Sequence, residues 1–121
     1  MRELLIAVID DDESFRSALV ESLGSLGYGA RGFASAEEFI AWEENAPCDC
    51  VITDVHMPGM SGLDLARLLA ARRRGPPVVM VTAHSGSSID ARAAARGVVC
   101  LLRKPFETDV LVDCLEKALE V

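Results

Sequence analysis

The stretch Leu4-Leu5-Ile6-Ala7-Val8-Ile9-Asp10-Asp11-Asp12-Glu13 decides how this chain folds. An unbroken apolar run with no polar alternation suits a strand covered on both faces, as in a parallel sheet between helix layers. Here it stops abruptly in acids. The same event recurs downstream: Cys50-Val51-Ile52-Thr53 runs into Asp54, Val78-Val79-Met80-Val81 into Thr82, and Val98-Val99-Cys100-Leu101-Leu102 into Arg103-Lys104-Pro105. Polar groups are thus delivered at strand carboxyl ends, which in an open parallel α/β sheet converge on one crevice.

Helical spacing fills the intervals. Phe15, Leu19, Leu23 and Leu26 recur three or four residues apart, with Gly24 and Gly27 closing the helix. A weaker strand follows from Gly29 to Phe33. Ser35, with Glu38 three residues on, is a capping-box pattern opening a helix that carries Phe39, Ile40 and Trp42. Met57-Pro58-Gly59-Met60-Ser61-Gly62 reads as a loop. Leu63, Leu65, Leu68 and Leu69 then resume a helix, which Arg72-Arg73-Arg74 ends ahead of Gly75-Pro76-Pro77, cations favouring the negative end of the helix dipole. The segment from Gly86 to Gly97 is helical by its alanines, yet Ile89 is its only large apolar residue, so a thinly packed, mobile helix is expected. Leu111, Leu115 and Leu119 mark a final amphipathic helix ending near Val121. The predicted fold class is α/β: a five-stranded parallel sheet, doubly wound as (βα)5, in one domain spanning residues 1–121.

Composition narrows the functional classes. A chain of 121 residues supports one sizeable core. No apolar stretch approaches the roughly 20 residues of a membrane span, and the first apolar run is too short for a signal-peptide core. A cytoplasmic protein without membrane association is expected. A net charge of −7, from 12 basic and 19 acidic residues, argues against direct nucleic-acid binding by this domain. Cys48, Cys50, Cys100 and Cys114 read as small buried thiols. A Cys-x-Cys without a second ligand pair is weak as a metal signal.

Asp10, Asp11 and Asp54 gathered at strand ends repel one another, and like charges in one site raise the pKa of at least one of them. Carboxylate oxygens with spare coordination positions suit Mg²⁺, which completes its octahedron with water and phosphate oxygens. Lys104 adds a compact compensating charge and Thr82 a hydroxyl. A carboxylate beside such groups is a workable nucleophile for phosphoryl transfer, giving an aspartyl phosphate. An acidic start to the first helix would account for Asp12 and Glu13, but not also for Asp54 and Lys104. There is no phosphate-cradling Gly-rich loop, Ser-His-Asp set or zinc tetrad.

From Leu4 to Leu119 the chain closely resembles the receiver domain of two-component response regulators. The motifs that carry this are Asp10-Asp11, Asp54 followed by Met57-Pro58-Gly59 and Gly62, Thr82-Ala83, and Lys104-Pro105-Phe106. The resemblance implies a flavodoxin-like receiver fold and a switch rather than an enzyme, phosphorylated by a histidine kinase. It makes Asp54 the phosphoacceptor. Asp11, Asp54 and the backbone carbonyl of His56 would bind Mg²⁺ directly, with Asp10 helping through a water. Thr82, Lys104 and the Ala83 N–H would contact the phosphoryl group, and the Lys104–Pro105 bond is commonly cis in this family. Implied partners are an output domain or downstream protein, and a second copy docking through the fourth and fifth helices on phosphorylation. The Thr82 to Lys104 pattern with Gly97 is similar to that of receivers preceding a helix-turn-helix domain.

Two departures stand out. Leu101 occupies the position, three before the lysine, where the family usually has an aromatic residue. His56 and His84 flank the site, and either one of them positions or excludes an attacking water or both are loop residues without a role. Aspartate-nucleophile phosphohydrolases, a rival class, usually carry a second aspartate where this chain has His56.

Overall fold

Successive side chains of a strand point to opposite faces, and in β1 (Leu5–Ile9) both sets are apolar. Ala7 and Ile9 join Val51, Met80, Phe39 and Leu65 in one core layer. Ile6 and Val8 join Ile52, Val79, Leu23 and Leu115 in the other. The computed structural model describes residues 4–43, 47–72, 75–83 and 87–119. After β1 come α1 (Glu13–Ser25), β2 (Gly29–Phe33), α2 (Ala36–Glu43), β3 (Cys50–Asp54), α3 (Gly62–Ala70), β4 (Val78–Thr82), α4 (Ser87–Ala95), β5 (Cys100–Arg103) and α5 (Thr108–Leu119). The sheet has five strands in the order β2-β1-β3-β4-β5, every pairing parallel. The expected doubly wound fold is therefore the observed one. The strand order reverses at β1 and β3, the switch point beside which ligands collect in such sheets.

Element ends differ from the sequence reading in instructive ways. Helix α1 passes through Gly24 and stops at Gly27, whose φ of 95° needs a glycine. There Tyr28 N–H donates to Leu23 O at 3.0 Å and Gly27 N–H to Gly24 O at 3.1 Å, a Schellman ending. Leu26, expected on the apolar stripe, is the cap residue and is 40% exposed, and Leu68 within α3 is 37% exposed. Ser61 ends the loop as the N-cap of α3, its Oγ accepting the Asp64 N–H at 3.1 Å, whereas Gly62, expected in the loop, is the first residue of that helix. Ser35 Oγ accepts the Glu38 N–H at 3.1 Å, as expected of a cap. Arg73, Arg74, Gly86 and Val121, which bound three of the expected elements, lie outside the described residues.

Helix α4 is thinly attached. Its buried apolar anchors are Ile89 and Ala93, and Asp90 Oδ1 meets Arg103 Nη2 of β5 at 3.2 Å. An exposed ion pair of this kind contributes about 0–1 kcal/mol. None of the four cysteines forms a disulfide; Cys50 and Cys114 are buried, Cys48 and Cys100 half-buried. Burial pushes the Cys50 thiol up to about 12. Burial first, and the neighbouring Cys100 thiol second, do the same for Cys114, also about 12. No described helix is long and apolar enough to cross a membrane.

Two outcomes follow. Leu115→Ala, which empties a fully buried site, lowers the free energy of unfolding in urea by about 2–5 kcal/mol. Cys50 and Cys114 resist iodoacetamide at neutral pH in the native chain and are alkylated in denaturant, because the thiolate is the reacting species.

Candidate functional site

Adjacent parallel strands that pair Ile9 with Thr53 must end side by side, so Asp10 and Asp54 emerge as neighbours at one sheet edge. Asp10 is buried, Asp54 half-buried and Asp11 exposed. One carboxylate oxygen from each lies within 4.8 Å of the others. Asp10 is the fixed member. Its Oδ1 accepts the Asp12 N–H at 2.9 Å, and its Oδ2 accepts a hydrogen bond from Lys104 Nζ at 3.0 Å. Its backbone N–H donates to Phe33 O at 3.1 Å, and its carbonyl accepts from Arg16 Nη1 at 2.7 Å. Asp54 Oδ1 accepts from the next N–H, Val55, at 2.9 Å.

Lys104 reaches this edge from the end of β5. Its backbone N–H donates to Thr82 O at 2.8 Å, tying the end of β5 to that of β4. Its bond to Pro105 is cis. The ammonium sits 4.0 Å from the centroid of the Phe15 ring. Thr82 is fully buried at the end of β4, one residue beyond Val81, the partner of Asp54 in the sheet.

Burial, and after it the Asp10 carboxylate, raise the pKa of Asp54 above the usual carboxylate range. Lys104 and the Val55 N–H oppose this only in part. Three carboxylates facing one ammonium leave an excess of negative charge and hard oxygen donors. This donor set fits Mg²⁺, which prefers oxygen ligands.

The structure brings together Asp10, Asp11, Asp54 and Lys104, with Thr82 at the adjoining strand end. His56 is exposed on the loop after Asp54, and Ala83 is exposed after Thr82. His84 lies outside the described residues. Leu101 is half-buried against the core layer that contains Ile89 and Ala93.

Four contributors to the site are not legible as such in the sequence. Phe15 packs against the core as its spacing implies and in addition faces Lys104, and Arg16 carries no signal beyond its position five residues after Asp11. Glu37 of α2 accepts the Met60 N–H at 2.9 Å, latching the loop after Asp54, and this bond holds its carboxyl below the usual range. No local pattern could show that contact, because 23 residues separate the partners. Gly62 looked like a turn glycine, yet it opens α3 against β3. Its N–H donates to Val55 O at 2.9 Å, and a Cβ there would collide with the backbone carbonyl of Asp54.

Residues 6–116 match the model of the response regulator receiver domain. The chain is 35% identical over 114 residues to the transcriptional regulatory protein FixJ of Bradyrhizobium diazoefficiens, covering 94% of this chain and 56% of the relative. It is 32% identical over 120 residues to the response regulator protein TmoT of Ectopseudomonas mendocina, covering 99% and 54%. The chain therefore spans a little over half the length of these curated relatives. Among solved structures, the crystal structure of FixJ-N is similar with a TM-score of 0.89 at 31% identity, covering 99% of this chain and 96% of that one. Chemotaxis protein CheY4 of Vibrio cholerae gives 0.87 at 26% identity, covering 98% and 100%. The chain belongs to the response regulator receiver domain family, a class of signalling modules in two-component systems, and its Asp10, Asp11 and Asp54 form an acidic pocket consistent with a phosphoacceptor site.

A carboxyl whose pKa is raised by folding binds its proton more tightly folded than unfolded. Its favourable contribution is complete below the ordinary carboxylate value, about pH 4, and is lost as pH rises through the raised value. Asp54→Asn is accordingly expected to raise the melting temperature at pH 7 in EDTA, the difference closing as both chains are acidified below about pH 4. Gly62→Ala costs about 1–3 kcal/mol in urea unfolding, because backbone must shift to admit the methyl.

Proposed function

We propose that residues 1–121 act as one receiver domain, a switch in which Asp54 accepts a phosphoryl group from a histidine kinase. The supporting observation is the mutual approach of Asp10, Asp11 and Asp54 within 4.8 Å, with Lys104 at its edge. Asp11, Asp54 and the backbone carbonyl of His56 would hold Mg²⁺ directly, and Asp10 through a water. The metal, when bound, neutralises charge on the phosphoryl oxygens. The Asp54 carboxylate attacks phosphorus in line, the phosphorus–nitrogen bond of the donor phosphohistidine breaks, and the imidazole leaves. Lys104 and the Thr82 hydroxyl take phosphoryl oxygens, and the Ala83 N–H a third contact. Water later hydrolyses the acyl phosphate, so the domain turns over only its own modification.

Signalling is then a population shift: phosphorylation favours one arrangement of the Thr82 loop and α4, and a partner that binds only that arrangement reads it. The greater length of the relatives, one of them a transcriptional regulatory protein, supports an output domain of transcriptional type or a downstream protein as reader. A second copy docking through α4 and α5 on phosphorylation is part of the same reading. The acidic balance of 19 against 12 charges keeps this domain itself off nucleic acid, and its place is the cytoplasm.

Intact mass after incubation with acetyl phosphate tests this. A phosphoryl adduct is expected that requires Mg²⁺ and is absent from Asp54→Ala. A folded native chain that takes no adduct from any donor would sink the switch and leave a binding module.

A further inference from the structure

The Phe15 ring lies against the site lysine. The Lys104 ammonium is 4.0 Å from the ring centroid and 3.0 Å from Asp10 Oδ2, held between a π face and a carboxylate. The lysine side chain is only 19% exposed, shielding under which the attraction of an ammonium to a ring face gains strength. Phe106, two residues past the lysine, braces the ring edge-on at 6.1 Å between centroids. The Phe15 backbone is pinned as well, its N–H donating to Asp12 Oδ1 at 3.2 Å.

We propose that Phe15 is a positioning residue for Lys104, placing the ammonium at the mouth of the carboxylate cluster before a phosphoryl group arrives. The proposal rests on the reading of Asp54 as phosphoacceptor. A lysine stem is flexible and loses much rotamer freedom when its charge is fixed. Asp10 sets a single contact at the tip, and the ring supplies a second wall that narrows the remaining directions. A leucine of comparable bulk would keep α1 packed but offer no negative face to the cation.

The test is a double-mutant cycle with acetyl phosphate as donor. Phe15 also lines an apolar groove with Leu19, Pro105, Phe106 and Leu111, so a small donor keeps protein docking out of the measurement. Phosphorylation rates of the native chain, Phe15→Leu, Phe15→Tyr, Lys104→Met and the Phe15→Leu, Lys104→Met double variant are read by intact mass at fixed Mg²⁺. Phe15→Leu is expected to slow the reaction about three- to tenfold, Phe15→Tyr to restore it, and Phe15→Leu to have no effect once Lys104 is methionine. A native rate in Phe15→Leu, an equal loss in Phe15→Tyr, or a loss that persists without the lysine overturns the proposal. A second reading needs no phosphorylation. The ε-methylene protons of Lys104 should be shifted upfield by the ring in the native NMR spectrum and return to ordinary positions in Phe15→Leu. A native spectrum without that shift overturns the proposal whatever Asp54 does. If the shift is present but the native chain takes no adduct, the phosphoacceptor reading fails and the placement of Lys104 by Phe15 stands.

Discussion

Crowding of like charge at one sheet edge is the constraint around which this domain is arranged. Two unit charges 4 Å apart repel by about 1 kcal/mol in water and about 4 kcal/mol near a protein surface, and here three carboxylates present oxygens within 4.8 Å. The chain resolves the conflict unevenly. Asp10 is immobilised through both carboxylate oxygens and both backbone groups, by Asp12, Lys104, Phe33 and Arg16. Asp54 takes the Val55 N–H on Oδ1. The buried acid therefore serves as scaffold and counter-ion, while the half-buried one keeps lone pairs open for a metal or an electrophile.

Such an arrangement survives only on a stiff support. Both faces of β1, β3 and β4 are apolar and covered, so a shift of register by one residue would exchange the two core layers without exposing either. Register must then be held by fit. Ala7 faces the layer with the bulky Phe39, and Ile6 faces Leu23 and Leu115, and exchanging such different volumes would leave voids in one layer and clashes in the other. The close approach of Gly62 to the Asp54 carbonyl adds a second lock at the strand end that matters most.

The sequence was most legible where structure is governed by local pattern. Unbroken apolar runs marked β1, β3, β4 and β5, and their carboxyl ends named Asp10, Asp54, Thr82 and Lys104, because in a parallel sheet position along the strand is position relative to the crevice. Ends of helices were less legible. Gly24 and Gly27 look equivalent in sequence, and only the hydrogen bonds to Leu23 O and Gly24 O show which one closes α1. Least legible were contacts between elements distant in the chain, such as Glu37 with Met60 and Phe15 with Lys104. A phenylalanine at helical spacing satisfies a core stripe and a cation equally well, so its second use leaves no trace in periodicity.

The proposed switch also needs a response that is cheap enough to drive. Reversing a two-state balance from 1:99 to 99:1 takes about 5.5 kcal/mol, and a charge-assisted hydrogen bond contributes about 1.5–3 kcal/mol. Two or three new phosphoryl contacts, from Lys104, Thr82 and a backbone N–H, are thus of the right size only if the element they displace is weakly held. Helix α4 meets that condition. Ile89 is its one large buried side chain and Ala93 a small one, a burial worth about 1.5–3 kcal/mol for the isoleucine. The Asp90 to Arg103 pair adds little in solvent. Arg103 is the residue before Lys104, so the strand end that carries the ammonium also carries the ion pair to α4. Leu101, on that strand and packed with Ile89 and Ala93 in one layer, provides contact without a ring to swing. A weakly held α4, packed through Ile89 and Ala93 against a layer that Leu101 also joins, is therefore the element the proposed switch would act on.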